Sequence, residues 1–471
     1  MKRRLRVYKK TVSIVNETAT GMYESLVGDK KGFLLESYDK NYDRYTFFGK
    51  EPEEIISSRG NALVITKNDG TQEVRNGNPL ERLKEYYSEF DIVKDNEELS
   101  FSGGLVGNLG YDFVRYAEVL PDNNPDEIGI ETVQMMLMTK FIMVDHVAET
   151  LTGIILGEDI PEGKEKSLEE AEELIRQALA NKGRAPEKNF THDGVIVNQS
   201  DSLEQYSQKV EKIKEYIREG HIFQTVLSQR WTIETKQSGF ELYKELRELN
   251  PSPYLYYFNY GDFEVIGSSP EMIVKQQGNR VYTCPIAGTR KRGADAEEDA
   301  LLRDELLQDE KERAEHVMLV DLARNDMGRI SEFGTVKVTQ FMEVQNYSHV
   351  MHIVSMVEGR KKGEFHPLDL VSSFLPAGTL SGAPKIRAME IIDELESVRR
   401  GLYGGATGYI DFSGDMDFCI TIRTMIKKEN RVYLQAGAGI VADSVPENEY
   451  QECCNKVMAL AKTLVNVSST L

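Results

Sequence analysis

Glu449, Glu452 and Lys456 in the segment EYQECCNK stand at i, i+3 and i+7, which puts two carboxylates and an ammonium on one helix face. A second acidic pair, Glu312 and Glu315 in KERAEHVMLVDLARND, repeats the i, i+3 step on another predicted helix. Two such faces could grip one divalent ion, because Mg²⁺ takes one or two carboxylates and fills its shell with water and substrate oxygens. The plainer alternative is solvated surface, since the chain carries 77 acidic residues and Glu is rarely buried.

An ion held this way suits a substrate that itself bears carboxylates. Candidate cations for such a substrate are Arg423 in CITIRTM, Lys385 in SGAPK and Lys456. Arg423 is preferred, because a guanidinium binds a carboxylate through two parallel hydrogen bonds and an ammonium does not. Glu271 in GSSPEMIV follows a proline at a predicted strand end, where a partly buried carboxyl would have a raised pKa and act as a general acid. His349 and His352 are three apart in a predicted strand, so only one can face a pocket. Glycine- and threonine-rich turns at PIAGTRKRG, PAGTLSGAPK, YGGATG and AGAGI could present backbone N–H groups to an oxyanion, or could simply be turns that need positive φ. No phosphate-binding GxxxxGK[ST] loop, GxGxxG fingerprint or GxSxG elbow occurs.

The elements that must position these residues read as strands and helices in alternation. Residues 8–146 are strand-rich, with KGFLLES, DRYTFFG, NALVITK and MLMTKFIMVDH as strands and NPLERLKEYYSEF as a helix. The apolar run around Met135–Val144 reads as a single buried strand. A charged helix follows, then a polar connector near Gly183–Gln199 that divides residues 1–190 from residues 191–471. Beyond it, SLEQYSQKVEKIKEYIREG is an amphipathic helix. Strands, further helices, three more strands and the acidic helix complete the chain. Hairpin-like turns between strands predict an α+β layered sandwich, with two largely antiparallel sheets covered by helices.

Composition narrows the function classes. A formal charge of −20 and the absence of basic runs interleaved with aromatics exclude a nucleic-acid footprint. The four cysteines show no Cys-x-x-Cys spacing, and no apolar stretch approaches the ~20 residues needed to cross a bilayer. A cytoplasmic chain with free thiols and no membrane partner is expected.

PIAGTRKRG, LLQDEKERAEHVMLVDLARND, SHVMHIVS, FLPAGTLSGAPKIRAMEII, GLYGGATGYI, ITIRT and QAGAGIVADSVPENEYQECCNK resemble, in order, the signatures of the chorismate-utilising enzymes over about Asp201–Leu464. The resemblance implies that Glu315, Glu449 and Glu452, with Glu312 nearby, form a Mg²⁺ site. It makes Glu271 the acid for departure of the C4 hydroxyl of chorismate and His352 the pocket histidine, with Thr379 as a further polar contact. Tyr403, Arg423, Gly437, Ala438, Gly439 and Lys456 would hold the substrate carboxylates, and Ala287, Gly288 and Thr289 would line the same pocket. At Ala287 many folate-branch members carry a nucleophilic lysine, and at Gln224 the water-activating members carry a lysine base. With neither amine present, external ammonia is the implied nucleophile and anthranilate the implied product, with pyruvate released. No glutaminase signature occurs, so a separate amidotransferase subunit is implied as the ammonia source. LLES, RYTFFG and NPSPYLYYF resemble the feedback elements of the anthranilate-forming members, carried onto Glu36, Ser37, Pro253, Tyr254 and Leu255 as an L-tryptophan site. The rival expectations are a folate-branch aminating enzyme that stops before pyruvate loss and a non-catalytic tryptophan-sensing subunit.

Overall fold

The computed structural model describes residues 2–15, 17–37, 44–93, 99–180, 190–347 and 350–465. Two large twisted sheets face one another. The first runs from the edge strand Val195–Gln199 through Gln224–Glu234, Arg431–Ile440, Thr424–Lys428 and Glu264–Ser269 to Tyr254–Asn259, then on through strands of the first 160 residues. The second runs from Ile286–Lys291 and Val350–Arg360 through Met272–Gln277, Met416–Ile420 and Ala406–Asp411 into Gly104–Leu109 and Val133–Met138. Pairing is antiparallel throughout, apart from one parallel contact between Arg3–Ser13 and Phe90–Val93. Aromatic side chains of the first sheet, among them Phe33, Phe47, Phe141 and Phe258, meet Val106, Met136 and Cys419 of the second between the sheets. Helices cover the outer faces: Leu203–Arg218, Gly239–Leu249, Lys385–Leu395 and Pro446–Ala461 lie on the first sheet, and Pro79–Tyr87, Glu310–Ile330 and Pro367–Phe374 on the second. The α+β layered sandwich expected from the sequence is the observed architecture.

Local signals explain several boundaries. Ser202 caps Leu203–Arg218 through a reciprocal pair of bonds with Gln205, and Asn78 caps Pro79–Tyr87. Two readings need correction. MLMTKFIMVDH is not one strand: Val133–Met138 belongs to the second sheet and Lys140–Asp145 to the first, with the chain crossing at Thr139, whose hydroxyl bonds Glu53 at 3.0 Å. The connector extended to Gln199 in the sequence reading, yet Val195–Gln199 pairs with Trp231–Glu234 as an edge strand. Residues 181–189 of that connector lie outside the described residues. Strands from both sides of residue 190 share each sheet, so that division falls within continuous sheets.

Two further crossings between the sheets lie side by side. Glu264–Ser269 is in the first sheet and Met272–Gln277 in the second, with Pro270 and Glu271 between them. Met416–Ile420 is in the second and Thr424–Lys428 in the first, with Arg423 between them. The crossings are tied together, because Ile420 N–H donates to the Glu271 carbonyl at 2.9 Å and Ser268 N–H to the Arg423 carbonyl at 3.1 Å.

A buried ion pair braces this region. Arg400 donates to Glu396 at 2.6 and 2.8 Å, to the Leu380 carbonyl at 2.5 Å and to the Val226 carbonyl at 2.9 Å. Glu396 in turn accepts from the Ser228 amide and hydroxyl at 2.8 and 2.7 Å. The pair is satisfied on both sides, so removing one partner strands the other charge in the core. Arg400→Met should lower stability by about 3–5 kcal/mol, read as a lower urea midpoint. Arg313→Met, on an exposed helix face, should leave that midpoint unchanged.

Candidate functional site

Glu271 is 9% exposed at its crossing, and burial raises its carboxyl to about 7. The Thr379 hydroxyl donates to its Oε1 at 3.0 Å, and the charges of Arg423 and Lys456 also favour the ionised form. Desolvation outweighs these, leaving a carboxylic acid able to give up a proton near neutrality. Arg423 faces it from the other crossing. Its φ of 49° is a left-handed value unusual for a residue other than glycine. Burial disfavours its charge, Glu271 restores part of it, and no hydrogen bond or ion pair engages the guanidinium among the described residues. A desolvated, unpaired guanidinium is a receptor for a carboxylate.

His352 lies opposite Thr289 in the ladder between Val350–Arg360 and Ile286–Lys291. A bulge between Ala287 and Thr289 inserts Gly288 at φ 68° and turns its carbonyl onto His352 Nδ1 at 3.0 Å. With Nδ1–H donated there, Nε2 is left as an acceptor. Burial keeps the ring neutral by lowering its pKa, and Thr289 Oγ1 also lies 3.1 Å from Nδ1. Tyr347, which the sequence reading did not single out, packs its ring edge-on to the imidazole at 5.3 Å. His349 lies outside the described residues.

Strand Arg431–Ile440 supplies a bare backbone wall. A methyl group on Gly437 would come within 3.0 Å of the Tyr403 hydroxyl, and one on Gly439 within 2.7 Å of Gln224 Nε2. Alternation along the strand sends Ala438 the other way, into the core under the helices, so only its backbone can serve the site. Gln224 is 5% exposed, and its Oε1 has no hydrogen-bond partner among the described residues. Ala287, at the start of the bulge that inserts Gly288, carries only a methyl group.

The two acidic helices interact at one point. Glu315 on Glu310–Ile330 lies within reach of the charge of Glu452 on Pro446–Ala461; burial raises the carboxyls of Glu312, Glu315 and Glu449, helped by repulsion from Asp309 at Glu312, from Glu312 and Glu452 at Glu315, and from Glu452 at Glu449. Lys456 pairs with Glu452 at 2.6 Å and donates to the Gly437 carbonyl at 2.9 Å. Among the described residues no three such groups are close enough to clasp an ion as they stand. Their chemistry still fits a hard cation: partly buried carboxylate oxygens, with Glu315 and Glu449 each repelled by Glu452. Lys385 pairs with Asp326 at 2.8 Å.

A second cavity of about 200 Å³ lies between the sheets. Glu36, Ser37, Pro253, Tyr254 and Leu255 all line it, with Arg44, Tyr256, Thr407 and Cys419 among the other walls. Glu36 is held from below by Arg247 at 3.0 Å and by the Tyr243 hydroxyl at 2.5 Å.

Because the Thr379 bond favours the ionised form of Glu271, Thr379→Val should move the Glu271 titration above about 7, by up to about one pH unit. Carbon-13 NMR of glutamate-labelled chain would follow it, with Glu271→Gln identifying the signal.

Residues 33–462 match the family described as chorismate binding enzyme. Anthranilate synthase component 1 from Acetivibrio thermocellus is 45% identical over 95% of this chain and 93% of its own length. The protein of the same name from Aquifex aeolicus is 43% identical over 92% and 88%. The crystal structure of anthranilate synthase component I from Streptococcus pneumoniae superimposes with a TM-score of 0.78 at 38% identity, covering 90% of this chain and 93% of that one. The menaquinone-specific isochorismate synthase from Escherichia coli shares the fold, with a TM-score of 0.73 at 17% identity, covering 98% of this chain and 95% of that one. With its match spanning both sheets and every residue of the candidate site, the chain is a member of the chorismate-binding enzyme family.

Proposed function

We propose that the chain aminates chorismate at C2 with ammonia and then eliminates the enolpyruvyl group as pyruvate, giving anthranilate. The observation that carries this is Glu271, a carboxyl protonated near neutrality, facing an unpaired Arg423 across two linked crossings. Arg423 binds one substrate carboxylate, while Gly437, Gly439 and the Tyr403 hydroxyl form a close-fitting wall. Ammonia adds at C2, the ring double bonds shift, and the C4–O bond breaks. Glu271 supplies the proton that lets the hydroxyl leave as water, and the new C–N group releases its extra proton to solvent. Ala287 offers no amine to compete, and Gln224 cannot remove a proton from water, which favours ammonia over water as nucleophile.

Glu312, Glu315, Glu449 and Glu452 are the residues that would hold a magnesium ion, which when bound supplies positive charge for a substrate carboxylate. The partner is a separate amidotransferase subunit that releases ammonia from glutamine, in keeping with the component 1 designation of the relatives. The second cavity is read as the feedback site for L-tryptophan. Pro253 and Tyr254 offer surfaces for an indole, and Ser37 and Glu36 offer polar groups for an amino-acid head.

The test is anthranilate fluorescence from the purified chain given chorismate, Mg²⁺ and ammonium, with and without L-tryptophan. Fluorescence that needs Mg²⁺ and falls with L-tryptophan is expected, and chorismate consumption without anthranilate would overturn the assignment. Glu271→Gln should cost about 10²–10⁴ in turnover. Since the protonated form is active and is lost as pH rises through about 7, kcat/KM at constant free ammonia should fall about tenfold per pH unit above that point. Glu271→Gln should lose this limb.

A further inference from the structure

The Thr421–Thr424 turn carries Arg423, but its two threonines have no part in the chemistry described above. Both are tied to the wall of the second cavity. Tyr256 lines that cavity and is 1% exposed, and its hydroxyl lies 2.6 Å from Thr424 Oγ1. Thr424 spends its own hydroxyl proton on the Ile422 carbonyl at 2.8 Å, so the Tyr256 hydroxyl is the donor in the bond between them. The ring reaches across the intervening strand because Gly267, opposite Thr424 in the ladder, has no side chain; a methyl there would fall 2.1 Å from the ring.

At the other end of the turn, Thr421 Oγ1 lies 2.7 Å from Thr407 Oγ1. Thr407 lines the same cavity and also accepts from Asn108 at 2.8 Å. Thr421 continues towards the site wall, since its carbonyl accepts from the Gly404 amide at 2.9 Å, next to Tyr403. Between these two anchors Arg423 is held at φ 49°, a conformation that persists only where its surroundings fix it.

We infer that Tyr256 and Thr407 are positioning residues for Arg423, and that their bonds to Thr424 and Thr421 are the element through which an occupant of the second cavity weakens anion binding at the first. An occupant packed on the Tyr256 ring pulls its hydroxyl from Thr424, the turn relaxes, and the guanidinium leaves the substrate carboxylate. The coupling is reciprocal, so chorismate weakens binding in the second cavity by the same factor. This inference rests on reading the second cavity as an amino-acid site.

The full chain with Tyr256→Phe, and separately with Thr424→Val, decides it. Calorimetry would give the L-tryptophan Kd, and steady-state kinetics the chorismate KM and kcat with and without saturating L-tryptophan. Losing one clamp should raise KM about fivefold, the worth of one hydrogen bond, with kcat within about twofold of the unmodified chain. L-Tryptophan should still bind, but should raise KM less than one third as much as it does in the unmodified chain. Unchanged KM, or an undiminished effect of L-tryptophan in both variants, would overturn the inference while leaving the reading of the cavity intact. Equal losses in kcat and in kcat/KM would mark Tyr256 as merely structural and also overturn it. Failure of L-tryptophan to bind the unmodified chain would remove the reading of the cavity and the coupling together.

Discussion

The buried pair of Arg400 and Glu396 is the constraint on which the site depends. A guanidinium 2% exposed and a carboxylate 4% exposed are tolerable in a core only because each is fully hydrogen-bonded. What satisfies them are the Val226 and Leu380 carbonyls and the Ser228 amide and hydroxyl. Val226 and Ser228 lie opposite Gly439 and Gly437, and Leu380 follows Thr379. Arg400 also packs over the rings of Tyr111 and Tyr403, at 4.6 and 5.6 Å. One desolvated cation therefore fixes the glycine wall, the Tyr403 hydroxyl and the residue that bonds Glu271. The polar groups of the site are kept in place by the cost of leaving Arg400 or Glu396 unsatisfied.

The crossings explain why the reactive pair stands where it does. Within a paired strand, backbone groups are spent on the ladder and side chains alternate between packed faces. Where the chain leaves one sheet for the other, that pairing stops, and side chains can point into the gap between the sheets. Glu271 and Arg423 occupy two such points, and the bonds from Ile420 and Ser268 keep the crossings adjacent. Burial then acts oppositely on the two groups. It disfavours charge on both, but the carboxyl can take up a proton, while the guanidinium stays charged and needs an anion.

The helical part of this region was legible in the sequence, because i, i+4 spacing survives folding intact: Lys456 pairs with Glu452 at 2.6 Å, and Glu315 of the other acidic helix lies within reach of the Glu452 charge. The sandwich was legible from turns and alternation. What stayed hidden were events that leave no periodic trace. MLMTKFIMVDH reads as continuous apolar strand, since a crossing between two buried sheets exposes nothing to water. Glu396 and Arg400, at i and i+4, look like an ordinary surface pair, and only tertiary packing makes them the brace of the core. Lys385 had the right chemistry for a substrate carboxylate, but its partner in the fold, Asp326, is distant in sequence and 2.8 Å away in space. Ala438 fell within a glycine-rich motif, yet the two-residue period of its strand assigns its methyl to the opposite face.

Both cavities open where the sheets exchange chain, and this follows from the same geometry. A crossing interrupts close packing between the sheets, so space is left on each side of it. On one side a gap is lined by Glu271, Thr379 and Ile420; on the other it is lined by Leu255 and Tyr256 from the first sheet and Thr407 and Cys419 from the second. The partition between them is a four-residue turn with a left-handed residue inside it, held by hydroxyl groups as well as by backbone bonds. Hydroxyl contacts of this kind contribute about 1 kcal/mol each, enough to hold a conformation and weak enough for a ligand to break. A continuous strand at this position would have isolated the two cavities, whereas the turn that positions Arg423 leaves its placement dependent on what fills the space behind it.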